Sequence, residues 1–116
     1  MLFRSLERME HGMATDTNRH EEAQALAAQC RTELASLLSD WDALLTPSAP
    51  GEAPEGFTMT GAPTFNMVWT LLHVPCITIP GLTGPADLPV GVQLVAGYGD
   101  DLSLLSLGKW LHARLT

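Results

Sequence analysis

Lysine is almost missing from this sequence. Lys109 is the only one, and six basic residues in all stand against thirteen acidic ones, for a formal net charge of −7. That balance excludes a nucleic-acid partner, because gripping a phosphate backbone takes clustered Lys and Arg. It equally excludes docking on an anionic membrane surface. Between Gly56 and Ala86 charge of either sign is absent for 31 residues, although 16% of the chain is charged. A soluble protein leaves charge out of a segment whose faces are both covered, since burying an unpaired charge costs far more than burying a methyl group. Long apolar runs are missing too. Prolines at 63, 75, 80 and 85 interrupt the charge-free block, so no piece approaches the roughly 20 continuous apolar residues of a membrane span. Cysteine is limited to Cys30 and Cys76, without paired spacing and in apolar surroundings, which reads as small buried thiols rather than a disulfide. The N-terminal stretch is charged and has no apolar signal region, so a cytoplasmic protein is expected. What remains, at 46% hydrophobic and 6% aromatic, is globular composition. A doubly covered strand-and-helix core belongs inside a large α/β protein. In a chain of 116 residues it reads as an incomplete domain.

The clearest periodicity runs over residues 18–39. Ala23, Leu26, Ala27, Cys30, Leu34, Leu37, Leu38 and Trp41 follow the spacing of one helical face, with Asn18 as cap and Glu21 three residues on. The spacing predicts a helical region over 1–41 and a strand-and-helix core over 42–116. Asp42 to Thr46 reads as a short strand stopped by Pro47, and residues 48–56 as a Pro/Gly loop crossing the surface. Pro63 suits the first turn of a helix. Phe65, Val68, Trp69 and Leu72 then form one apolar face, while Pro63, Met67 and Thr70 lie on another that could border a pocket. Cys76 to Pro80 is a predicted strand and residues 81–89 a connection. Val90, Val92 and Leu94 alternate with Gly91, Gln93 and Val95 in a further strand. Asp100 or Asp101 can cap a last helix whose Leu104, Leu107, Leu111 and Leu115 share a face. Gly108 within it costs about 1 kcal/mol relative to Ala unless it permits close packing.

Four small patterns invite a catalytic reading, and each has a plainer one. Ser106 and Lys109 match a nucleophile/base spacing, but equally a polar edge on a terminal helix. His73 and Cys76 could pair as imidazole and thiol, yet Pro75 separates them and a reactive thiolate needs an electropositive, open setting. Gly97-Tyr-Gly-Asp100 sits between strand and helix like a dinucleotide turn, but lacks the third glycine, and Asp100 and Asp101 would repel phosphate. The histidines at 11, 20, 73 and 112 are scattered, so no metal site is expected. No catalytic residue can be assigned from these patterns, and none of them asks for a cofactor.

Five ordered blocks make a more specific pattern. They are Asp42-Ala-Leu-Leu-Thr-Pro47, Thr60-Gly-Ala-Pro-Thr-Phe-Asn66, Trp69-Thr70 with Val74-Pro-Cys-Ile-Thr-Ile-Pro80, Leu88-Pro-Val-Gly-Val-Gln-Leu-Val95, and Asp101-Leu-Ser-Leu-Leu105. Together they resemble the C-terminal portion of the amidase signature family, over nearly the whole chain. The Phe-Asn and Trp-Thr pairs look more like a free-standing amidase than an amidotransferase component. The resemblance implies an α/β fold, here part of a mixed sheet flanked by helices, and hydrolysis of a small-molecule carboxylic amide. In that family a serine attacks, a second serine in a cis peptide relays the proton to a lysine, and backbone N–H groups bind the oxyanion. This chain has no adjacent serines and no lysine but Lys109, so that machinery would lie in a missing N-terminal amidase portion, the expected partner. The resemblance places Thr60, Pro63 and Met67 along the substrate channel and Asn66 as a loop-fixing residue. His73, Cys76, Asp87 and Ala96 stand where small or glycine-like residues are commoner in the family. The competing expectation is a truncated, non-catalytic binding protein or the partner half of a split amidase.

Overall fold

The computed structural model of the chain describes residues 2–115; residues 1 and 116, the ends of the expected span, lie outside it. Two helices lead, α1 over Leu2–Met13 and α2 over Thr17–Leu38. Strand β1 follows over Leu44–Pro47, then a long loop, the short helix α3 over Met67–Leu72, strands β2 over Cys76–Thr83 and β3 over Pro89–Val95, and helix α4 over Asp101–Leu115. The three strands form one antiparallel sheet in the order β1-β3-β2. The latest strand in sequence is therefore the central one. Leu44 stands opposite Val95 on one side of it, and Cys76 opposite the same residue on the other.

Alternation along the strands divides the sheet into two faces. Ile77, Ile79, Val92 and Leu94 point to one, where α4 packs with Leu104, Leu107, Leu111 and Leu115. This is the expected leucine face of the last helix, and each fully buried Leu or Ile in it contributes about 1.5–3 kcal/mol. Gly108 is buried there: a Cβ on it would stand 3.1 Å from Ile79 Cδ1. The glycine thus exchanges helix propensity for close approach. A bulge at Gly81 shifts the β2–β3 register, and its backbone runs so near Leu115 that a side chain there would collide with it. The opposite face presents Thr46, Gln93 and Thr78 in one row across the three strands, and Trp69 of α3 reaches down to it. α2 packs in turn on α3 and buries Ala27 and Leu38.

Several expectations need correction. The cap before α2 is Asp16, not Asn18, and it makes no side-chain capping bond. β1 includes Pro47, which an outer strand tolerates because a ladder bond need not be made there. The helix expected from Pro63 begins only at Met67; residues 63–66 form a turn closed by the Asn66 and Met67 N–H groups on the Pro63 carbonyl. β2 runs on to Thr83, so β2 and β3 make a hairpin where a longer connection was expected. Cys76 is exposed and Cys30 half-buried, not fully buried thiols. Nor is the charge-free block covered on both faces within this chain: Phe57, Met59, Met67, Leu71 and Leu82 in it are exposed. The continuous buried run lies beyond that block, at the second half of β3 from Gln93 to Val95.

Candidate functional site

The loop between β1 and α3 does not wander. It leaves β1 at Ser48, whose N–H and hydroxyl both donate to the Gly91 carbonyl, the hydroxyl at 2.7 Å. Gly91 has no room for a side chain, since a Cβ would stand 2.6 Å from Thr78 Cγ2 and 3.1 Å from the Ile79 carbonyl oxygen. The loop is pinned again at Glu52, whose Oε1 accepts the Ala86 and Leu88 N–H groups at 2.9 and 3.0 Å. Those two donors belong to the β2–β3 turn, where the Asp87 N–H closes on Gly84 and Asp87 takes a left-handed φ of 60°. The loop ends at Asn66, whose Nδ2 donates to the Ser48 carbonyl at 3.1 Å and so ties its last residue to its first. This is the loop-fixing role expected of Asn66.

Beneath the loop lies a cleft of about 790 Å³. Residues 48–54 and 59–63 wall one side; Thr78, Pro80 and residues 89–91 form the other. Thr60 and Pro63, two of the expected channel residues, line it together with Asn66. Met67 does not: it opens α3 outside the cleft and is 63% exposed. Glu52 is the sole ionisable side chain among the lining residues, and one of its oxygens is taken by the turn. The Ser48 hydroxyl gives its proton to a carbonyl, so no base stands ready to make it a nucleophile. The cleft can bind and orient an uncharged group. Among its lining residues Glu52 is the one carboxylate, and no His, Lys or Cys stands with it.

Under the floor of the cleft sits Gln93, the buried polar side chain of the described core at 2% exposed. Its Oε1 accepts from the Trp69 indole N–H at 2.8 Å and from the Thr46 hydroxyl at 3.3 Å, while its Nε2 donates to Asn66 Oδ1 at 2.7 Å. Sequence reading passed over Gln93, Ser48 and Glu52. For Gln93 there was one signal: a single amide in a strand otherwise of Val, Leu, Gly and Pro, which burial would oblige to find partners.

The other sequence patterns take their plainer readings. The Ser106 hydroxyl donates to the Leu102 carbonyl one turn back, on an exposed helix surface. His73 ends α3 in a left-handed conformation with φ 58°. The Leu104 N–H bonds the Asp100 carbonyl, which makes Asp100 the residue flanking α4. Among the described residues no group of three His, Cys, Asp or Glu could hold a metal ion, and no helix is long and apolar enough to cross a membrane.

Comparison with known proteins gives this geometry a context. A family model described as Amidase matches residues 2–105. A glutamyl-tRNA(Gln) amidotransferase chain of Wolbachia pipientis subsp. Culex pipiens is 29% identical over 96 residues, which is 78% of this chain and 20% of that protein. Amidase 1 of Oryza sativa subsp. japonica is 32% identical over 120 residues, covering 94% of this chain and 27% of its own length. A solved amidase structure superposes with a TM-score of 0.85 at 33% identity, covering 97% of this chain and 29% of that one. The chain thus spans between 18% and 29% of the length of such relatives and solved structures.

Proposed function

This chain belongs to the amidase family, and we propose from that premise that residues 1–116 are the C-terminal portion of an enzyme that hydrolyses carboxylic amides. In this reading the serine nucleophile, the relaying serine and the lysine stand on the rest of the polypeptide. Residues 1–116 finish the sheet and supply one wall of the substrate channel, with Thr60 and Pro63 on the cleft and Met67 exposed outside it. The observation that carries the reading is the cleft itself: a preformed wall with hydrogen-bonded supports, whose one ionisable side chain, Glu52, is tied to the hairpin turn. Contacts from such a wall hold substrate and transition state alike, so alone they leave the chemical barrier where it was. The exposed apolar side chains at Leu45, Met67, Leu71 and Trp110 support it too, since a family member of full length has chain to lay over them.

The test is the intact mass of the polypeptide that carries this sequence in its source cells, followed by assay on simple aryl amides. A species several times heavier than 12.5 kDa with serine-reagent-sensitive turnover is expected, and the pure 116-residue chain should show none. Turnover by the short chain would overturn the proposal. A native species of 12.5 kDa would transfer the role to a non-catalytic binding protein or one half of a split enzyme.

A further inference from the structure

We propose that Gln93 is the positioning residue of the cleft, setting the loop over residues 48–66 through a one-way chain of hydrogen bonds. The direction of every bond is fixed by the first. An indole N–H can only donate, so the Gln93 oxygen must face Trp69. Its amide nitrogen is thereby turned to Asn66 Oδ1 at 2.7 Å. Asn66 in turn must present its nitrogen to the Ser48 carbonyl, a group that can only accept. Ser48 and Asn66 are the two ends of the loop, and both line the cleft. The chain therefore runs from α3, through the central strand, to the clasp that closes the loop on itself. No member can be rotated to repair an error elsewhere, because the sequence begins at an obligate donor and ends at an obligate acceptor. The side chains meeting the Gln93 amide, Trp69, Asn66 and Thr46, carry no charge. That the loop held in this way contacts an amide substrate rests on the function proposed above; the positioning itself does not.

Gln93→Glu tests it, in the native polypeptide carrying this sequence. The substitution keeps shape and the acceptor for Trp69 but replaces the donor facing Asn66 with a second acceptor. Above the pH at which the introduced carboxyl ionises, hydrogen exchange of the bonded backbone amides at the two ends of the loop, Ser48 and Asn66, should lose protection roughly tenfold or more, the size expected when one partner of a buried bond is lost. Residues 94–96 and 77–79 should keep theirs. Protonating the introduced carboxyl restores a donor, and burial raises the pH at which that happens. Loop protection, taken relative to the parent protein at the same pH, should accordingly return as the pH falls through that raised value. A structural role confined to packing has no reason to return on acidification. For a neutral carboxamide, KM should rise roughly tenfold in the same pH range with kcat changed much less. Loop protection unaltered at every pH up to about 10, a loss spread evenly over the sheet, or a loss that acid does not reverse would each overturn the proposal. Loop loss reversed by acid, in a protein without amide turnover, supports the positioning role and removes the functional reading of the cleft.

Discussion

Among the described residues, two that are not glycine hold left-handed backbone, His73 with φ 58° and Asp87 with φ 60°. Both are positions where the family resemblance favours small or glycine-like residues, and the backbone supplies the reason. His73 closes α3, with its own N–H on the Thr70 carbonyl and the Val74 N–H on that of Trp69, an ending that glycine makes without a Cβ penalty. His73→Gly should therefore stabilise the fold by about 1 kcal/mol, read as a shift in urea midpoint at unchanged slope. Asp87 suits its turn better, since Asp tolerates this region. At this scale the sequence marked the odd residues without saying what they had to do, because a φ angle leaves no trace in hydrophobic periodicity.

Among the elements, periodic patterns were legible and contacts with a distant partner were not. The leucine face of α4 and the strand around Val90 to Val95 come from spacing of 3.6 and 2, and both are in place. Half of the α2 pattern is covered, at Ala27, Cys30, Leu34 and Leu38; Leu26, Leu37 and Trp41 lie exposed. The start of α3 is displaced from its expected position because Pro63 suits a first helical turn and an isolated turn equally well. Glu52 was invisible as an anchor, since a carboxylate in a Pro/Gly loop looks like solvated surface until the hairpin turn it meets is known. Its loss has a local signature. Glu52→Ala should leave the melting temperature within a few degrees while speeding proteolytic cleavage between residues 49 and 62 severalfold, as a loop freed at one pin opens more often. Equal cleavage rates in parent and variant would show that the Glu52 contacts do not restrain the loop.

For the molecule as a whole, the charge-free block carries the main inference and also its main error. Its composition implies cover on both faces; in this chain much of it is open. In the reading proposed above, the missing charge describes the surroundings of the block in a larger protein; the chain spans 20% of one matched relative. Strands β1 and β2 are the outer strands of the sheet, and outer strands with apolar neighbours are sites of association. The isolated 116-residue chain should bind hydrophobic dye and self-associate. A monomer with a sharp cooperative melt and no dye uptake would show that it stands alone.

The strand order β1-β3-β2 also fixes a timetable. β1 leaves the ribosome first of the three and has to wait for β3, which is made about 50 residues later, several seconds at ordinary synthesis rates. β2 and β3, by contrast, meet across a short turn and can pair within microseconds of appearing. The hairpin is thus the early event and the docking of β1 the late one, since closing the longer loop costs entropy before any contact returns it. Gln93 sits where the two events join, opposite Thr78 in the first and Thr46 in the second. Its buried amide gains its Thr46 partner only when the last strand arrives, so the same residue that orders the finished cleft also registers that the sheet is complete.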